Sequence, residues 1–331
     1  MSGPITMYFY KIKDRNILLL GDRHEYMTPC KGKPYIPIHR FLKALFTETS
    51  VESDMFLEVA SPDSAENHYG REVYENWKKT IQSGRIKTKH YLGDTTNIFL
   101  KYGCFQKSKD LCKKQFPNTR FHYLDYRASD NAITYKLSKF EFYELPTIAM
   151  ISKAVLDSID SNPKIQKQIN NMEKNDASKL KSYIKDYVAN VKNSYPDYDK
   201  INILFQKVSS PSDIDKKILD NIQRFFKKIV SGMCLIEMDA YTIGRLFRRY
   251  RDDSCSKNII MYAGASHIEN YRNFFENYLG ATSTCKILTD KEVLNINSQC
   301  VNIPKRVLRN FIDLEGLNRI LSLFKTVSKS T

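Results

Sequence analysis

Two short apolar runs, each ending in a Gly-x-x-His motif, constrain the fold of this chain more than any other feature. Residues 17–24 read Ile-Leu-Leu-Leu-Gly-Asp-Arg-His, and residues 258–267 read Asn-Ile-Ile-Met-Tyr-Ala-Gly-Ala-Ser-His. An unbroken apolar run that ends at a glycine is typical of a fully buried parallel strand. Ligands of open α/β sheets bind beyond the carboxyl ends of such strands, so the polar residues that follow are candidate site residues.

A Gly-x-x-His motif alone is a weak signal, because the chain has 6 His and 12 Gly. The competing interpretation is that each glycine only eases a turn and each histidine is a satisfied polar residue near the core. Because a predicted buried strand lies directly before both copies, it is less expected that the motif recurs by chance. This recurrence favours one site that both copies share.

The hydrophobic pattern predicts an α/β fold with a mainly parallel central sheet flanked by helices. Strands are predicted at 6–12 and 16–20 as a hairpin, then at 54–59, 121–124, 258–263 and 282–288. Helices are predicted at 38–47 and 64–81. A third helix is predicted to end at residue 278 and to be opened by a capping box of Ser266 and Glu269. The central strands are expected to be 17–20, 55–59, 121–124 and 259–263.

The same pattern divides the chain. Residues 1–140 and 252–300 are predicted to form the α/β core that carries both motifs. Residues 141–251 show only helical periodicity and are predicted to form a large all-helical insert or lid. After Pro304, residues 304–331 are predicted to hold a C-terminal amphipathic helix, at 305–324.

Composition bounds the class of protein. Seven cysteines without a Cys-x-x-Cys pair argue against a disulfide framework and for a reducing compartment. No apolar run is long enough to span a membrane, and the N-terminus does not resemble a signal peptide, so we expect a cytoplasmic rather than a secreted protein.

A net charge of +15, from 52 Lys+Arg against 37 Asp+Glu, suggests attraction to an anionic partner through a basic surface. The alternative is composition bias, since Lys, Asn, Ile and Tyr are all abundant, the charge is dispersed and no nucleic-acid motif accompanies it.

Charged or histidine side chains stand at or just after the ends of the predicted buried strands, at Asp22, His24, Glu58, Asp125, Arg127 and His267. Two histidines and a carboxylate with an open position suit a catalytic divalent metal. Without a metal, the same groups suit a histidine general base that a carboxylate orients. For Glu58 alone, a solvated carboxylate at a strand end is the competing interpretation.

This arrangement resembles the TraB/Tiki and EreA/ChaN-like superfamily, whose members carry two Gly-x-x-His motifs at strand ends, a glutamate and an arginine. The matching positions are Gly21, His24, Glu58, Arg127, Gly264 and His267. Asp22 resembles the acidic residue, usually Glu, of the erythromycin-esterase-like and ChaN-like branches. The segment 238–245, which ends at Arg245, resembles the arginine-bearing helix before the second motif. The resemblance covers about residues 6–130 and 235–290.

The resemblance implies an α/β fold and, in characterised branches, hydrolysis. Tiki-like members are metal-dependent peptidases, the esterase branch opens a macrolactone, and ChaN-like members bind haem. Composition and motifs also resemble members from large DNA viruses of protists, which adds packaging in a virion as an alternative location. Arg23 and Arg127 would depress metal affinity but suit an anionic substrate or oxyanion.

The leading hypothesis is a peptidase- or esterase-like hydrolase acting on a peptide or small molecule. His24 and His267 would activate water, Glu58 would be a metal ligand or base, and Asp22 would orient His24. One zinc, manganese or cobalt ion would be held by His24, Glu58 and His267. Substrate-binding candidates are Arg127, Arg23, Asp125 and Arg245, and the structural glycines are Gly21 and Gly264. The alternatives are a non-catalytic virion-associated or host-binding protein that retains the fold, and a protein that binds haem or a small ligand.

Overall fold

The computed structural model describes residues 3–23, 36–60, 79, 90–105, 109–125, 146–200, 203, 216–249, 257–287 and 301–327. The chain divides into two compact units. The first comprises the described residues of 1–125 and 256–331, and the second those of 126–255. Each is described by itself below.

The first unit is built on a six-stranded sheet in the order β4-β3-β5-β2-β1-β6. The strands are β1 Thr6–Ile12, β2 Arg15–Asp22, β3 Ser53–Ala60, β4 Thr119–Asp125, β5 Asn258–Gly264 and β6 Ser283–Ile287. Strands β2, β5, β3 and β4 run parallel, whereas β1 is antiparallel to both β2 and β6. The prediction of an α/β fold with a mainly parallel sheet is confirmed, although β4 is an edge strand rather than a central one.

Helices connect the strands and form most of the second unit. Described helices are α1 Ile38–Glu48, α2 Tyr91–Lys101, α3 Asp110–Gln115, α4 Ile148–Ser161, α5 Pro163–Asn170, α6 Lys174–Asn193, α7 Lys216–Phe247, α8 Ala265–Asn273, α9 Lys305–Leu308 and α10 Leu314–Val327. A π-helical turn, Phe274–Tyr278, continues α8. Among the described helices, none is long and apolar enough to cross a bilayer.

Two helices cover opposite faces of the sheet, and this decides where a site can form. Helix α1 packs its apolar side on the face that bears Leu18 and Leu20 of β2. Helix α8 and its π turn lie on the other face, where Tyr8 bonds Glu269 and Tyr10 packs edge-on against Phe275. The adjacent strands β2 and β5 therefore feed helices on opposite sides. Such a topological switch point opens a crevice at the carboxyl ends of the two strands.

The second unit is helical throughout its described residues, apart from one isolated bridge between Met172 and Arg248. Helix α7 packs against α4, α5 and α6. A Cβ at Gly244 would lie 2.9 Å from Cβ of Gln168, so glycine allows α7 and α5 to approach closely. Inside this bundle the Ser158 hydroxyl donates to Glu237 at 2.5 Å.

Three local predictions differ from the structure, and the helix predicted at 64–81 lies outside the described residues. The C-terminal helix is broken, because Asp313 accepts from the amide of Gly316 at 2.6 Å and so starts α10 separately from α9. Cys104 and Cys112 form a disulfide that their spacing did not predict. The capping box of Ser266 and Glu269 is wrong, because α8 begins at Ala265 with no side-chain cap of its own.

Candidate functional site

Glu58 and His267 meet at the carboxyl ends of β3 and β5. Oε2 of Glu58 accepts a 2.6 Å hydrogen bond from the backbone amide of Gly264. Its Oε1 lies 3.7 Å from Nε2 of His267, and the two side chains are only 8% and 4% exposed. The imidazole also stacks on Tyr271 with ring centroids 6.3 Å apart. The sequence therefore places a carboxylate and an imidazole side by side in a largely water-excluded position.

The way that β5 passes into α8 explains why Glu58 is held there. The strand ends at Gly264 and the helix begins at the next residue, so the first amides of α8 receive no cap from their own loop. The side chain of Glu58, on the neighbouring strand, accepts instead from the amide of Gly264, the residue directly before the helix. A carboxylate at a helix N-terminus is also stabilised by the helix dipole. A register shift of β3 against β4 between Leu57 and Ala60 lies at this position, where an irregularity can redirect a side chain.

Asp22 lies at the same end of the sheet but on the opposite face. It pairs with Gly264 across β2 and β5, and its Oδ1 accepts from the Tyr262 hydroxyl at 3.0 Å. Tyr262 faces the core beneath α1, and burial, with the charge and hydrogen bond of Asp22, raises its pKa well above the ordinary value. The hydroxyl therefore stays protonated and holds the Asp22 carboxylate in place.

Gly21 allows α8 to approach β2. A Cβ at this position would lie 2.2 Å from Oγ1 of Thr6 and 3.2 Å from Cα of Ala265. Any larger residue would push the start of α8 away from the strand, and with it His267 in the first helical turn. The glycine is thus required by close packing of the site, not by an unusual turn.

A second buried histidine–carboxylate pair shows what a closed arrangement looks like. Nε2 of His122 lies 2.6 Å from Oδ1 of Asp54, and Arg120 donates two further hydrogen bonds to the same carboxylate at 2.9 and 2.7 Å. His122 also stacks on Phe56. The Asp54 carboxylate is bound within hydrogen-bond distance by both partners, whereas Oε1 of Glu58 and Nε2 of His267 are 3.7 Å apart, beyond direct hydrogen-bond distance.

The structure thus brings together Asp22, Glu58, Gly21, Gly264 and His267 at one end of the sheet. Arg23 is exposed directly after β2, and Asp125 is the half-buried last residue of β4. Arg245 lies in the second unit, where it donates to the Tyr241 hydroxyl at 2.5 Å. His24 and Arg127 lie outside the described residues, so their proposed roles stay predictions.

Two residues of this region were missed by sequence reasoning. Tyr262 was treated only as part of an apolar strand, although its hydroxyl was the one polar group in residues 259–263. The sequence predicts Thr6 only as the start of a hairpin. Its fully buried hydroxyl lies where a Cβ of residue 21 would be, and it has no hydrogen-bond partner among the described residues. Neither role follows from spacing, because each depends on which strand lies alongside.

The described residues contain no group of three metal-ligating side chains. Nε2 of His267 and Oε1 of Glu58 nevertheless fit two vertices of one site. Ligands bound tetrahedrally to zinc at about 2.1 Å stand roughly 3.4 Å apart, close to the observed 3.7 Å. His24, the third ligand predicted from the sequence, lies outside the described residues.

No family model, curated protein or solved structure matches this chain.

Proposed function

We propose that this protein is a hydrolase, peptidase- or esterase-like, which activates water in the crevice at the carboxyl ends of β2, β5 and β3. The observation that carries the proposal is the buried pair of Glu58 and His267, with Oε1 and Nε2 3.7 Å apart at the carboxyl ends of β3 and β5. The resemblance of both Gly-x-x-His motifs to those of the TraB/Tiki and EreA/ChaN-like superfamily supports it.

The two groups have complementary roles in this proposal. His267 takes the proton of the attacking water, since imidazole is the commonest general base. Glu58 stabilises the imidazolium that results, and its own position is fixed by the amide of Gly264. A divalent ion, when bound by His267, Glu58 and His24, would lower the pKa of a bound water. Arg23 stands beside the strand end as a candidate for the developing negative charge.

Asp22 acts at a distance from this pair in the proposal. Its carboxylate is anchored by Tyr262, on the face of the sheet away from Glu58. From there it would orient His24, two residues along the chain, and so complete the set of groups around the crevice. Asp125, Arg127 and Arg245 remain predicted substrate-binding residues.

The test uses the full chain with matched variants. Hydrolysis of p-nitrophenyl acetate and of a fluorogenic peptide library is measured on chelator-treated protein, with and without Zn²⁺, Mn²⁺ or Co²⁺. Glu58→Gln and His267→Gln should each abolish turnover. His122→Gln alters a buried histidine–carboxylate pair outside the crevice and should retain turnover.

Isothermal titration with the same three ions separates the two mechanisms. Heat of binding that is lost in Glu58→Gln and His267→Gln supports a metal site, and turnover without heat supports a metal-free histidine base. A folded wild type that shows neither turnover nor metal binding would overturn the proposal in favour of the non-catalytic alternative. Equal loss in His122→Gln would also overturn it, because the effect would then come from folding.

A further inference from the structure

One exposed row on α6 carries only positive charge. Its members are Lys174, Lys181, Lys185 and Lys192, which we call the lysine row, and all four are exposed. At about 100° per residue they lie within roughly 20° of one line along the helix. The row extends about 27 Å, from a rise of about 1.5 Å per residue.

Among the described residues, no carboxylate pairs with this row. None of its four ammonium groups forms an ion pair with another residue of the chain that the structure describes. Of the two acidic residues of α6, Asp176 is buried and Asp186 lies about 120° round the helix from Lys174. The row therefore presents a continuous positive surface to solvent.

The placement of three of the four lysines is unfavourable for the helix itself, whereas Lys192 lies favourably in the last turn. Lys181 and Lys185 are four residues apart, where like charges repel. Lys174 is the first residue of the helix, at the positive end of its dipole. The exposed side of the neighbouring α4 carries Lys153 together with Asp157 and Asp160, and its net charge is therefore negative. Helix stability does not explain the row, but charge complementarity to a polyanion does.

The surroundings of the row distinguish between polyanions. Its exposed neighbours are small residues, and all of them except Ala189 can hydrogen-bond through their side chains: Asn175, Ser178, Ser182, Ala189 and Asn193. Serine and asparagine side chains donate to phosphate oxygens in nucleic acid complexes. A membrane helix would need a free apolar side, but that side of α6 is buried, as shown by Leu180. Single strands need exposed aromatic rings, and the described residues of α6 offer none beyond the buried Tyr183 and the half-buried Tyr187.

We propose that the lysine row binds the phosphodiester backbone of a nucleic acid duplex without reading its sequence. Each phosphate that a lysine neutralises makes the slope of log K against log salt concentration more negative by about 0.9. Four contacts predict a slope near −3.6 and a loss of affinity of about 150-fold between 50 and 200 mM salt. This inference does not depend on the proposed hydrolase.

The test is a fluorescence anisotropy titration of the full chain against a labelled 20-base-pair DNA duplex of mixed sequence, repeated over a series of salt concentrations. Lys181→Gln/Lys185→Gln should reduce the slope by about 1.8. Lys164→Gln/Lys167→Gln on α5 removes two exposed charges elsewhere in the same unit and should leave both slope and affinity unchanged. Glutamine keeps the helix propensity of lysine.

Three results would overturn the proposal. The first is absence of binding at 50 mM salt by folded wild type. The second is an equal loss in the two double variants, which would mean that total charge and not the row binds the duplex. The third is tighter binding to phosphatidylserine vesicles than to the duplex, with the row variant losing vesicle binding, which would identify a lipid surface as the partner.

Discussion

Replacing Tyr262 by phenylalanine tests whether the Asp22 carboxylate is held by the hydroxyl beneath it. The substitution keeps the ring and removes one hydrogen bond of 3.0 Å to a buried acceptor. Hydrogen bonds to charged groups contribute about 1.5–3 kcal/mol. We therefore expect the free energy of unfolding of the first unit to fall by about 2 kcal/mol.

The expected change is large enough to measure in two ways. For a cooperative unit of about 200 residues, a loss of 2 kcal/mol lowers the melting temperature by roughly 4–8 °C. Urea unfolding should show a lower midpoint with an unchanged m-value, because no additional surface is exposed in the native state. Both transitions are assigned to the first unit by near-ultraviolet signals that the variant shifts.

The matched control is Tyr102→Phe. Tyr102 lies in the same unit, is half-buried, and its hydroxyl makes no hydrogen bond with another residue of the chain that the structure describes. Its loss should change the free energy of unfolding by less than about 0.5 kcal/mol. If Tyr262→Phe is no more destabilising than this control, the reasoning that the hydroxyl anchors Asp22 is refuted.

The remaining predictions concern packing and pH. Gly21→Ala should lower the melting temperature and abolish any turnover, because the added Cβ clashes with the hydroxyl oxygen of Thr6. Adding Thr6→Ser to this variant should not restore the melting temperature, whereas adding Thr6→Ala should restore it and so confirm the contact. An unchanged melting temperature of Gly21→Ala would contradict the contact. Burial raises the pKa of Tyr10, Tyr198 and Tyr262 above their ordinary value near 10. Each tyrosine therefore contributes stability below pH 10 that is lost as the pH rises beyond 10. The free energy of unfolding should fall by about 1.4 kcal/mol per pH unit for each tyrosine. Absorbance at 295 nm should show these tyrosines ionising only together with alkaline unfolding, and ionisation of all 21 tyrosines before unfolding would contradict this.

The sequence by itself determined the strands and their direction. Unbroken apolar runs such as residues 17–20 and 259–263 can be satisfied only by burial on both faces, and helical periodicity between them requires crossover connections and hence a parallel sheet. The positions of Glu58 and His267 at strand ends followed from the same local pattern, because a strand's limits depend on its own residues.

Only the tertiary structure decided what those side chains contact. Glu58 binds the amide of Gly264, directly before α8, because β3 lies beside β5, an arrangement that no spacing within either strand specifies. His267 lies buried in the first turn of α8, because β5 passes into the helix at Gly264 without an intervening loop. Asp22 faces Tyr262 across the sheet from Glu58, because side chains alternate and the register of β2 with β5 is set by long-range pairing.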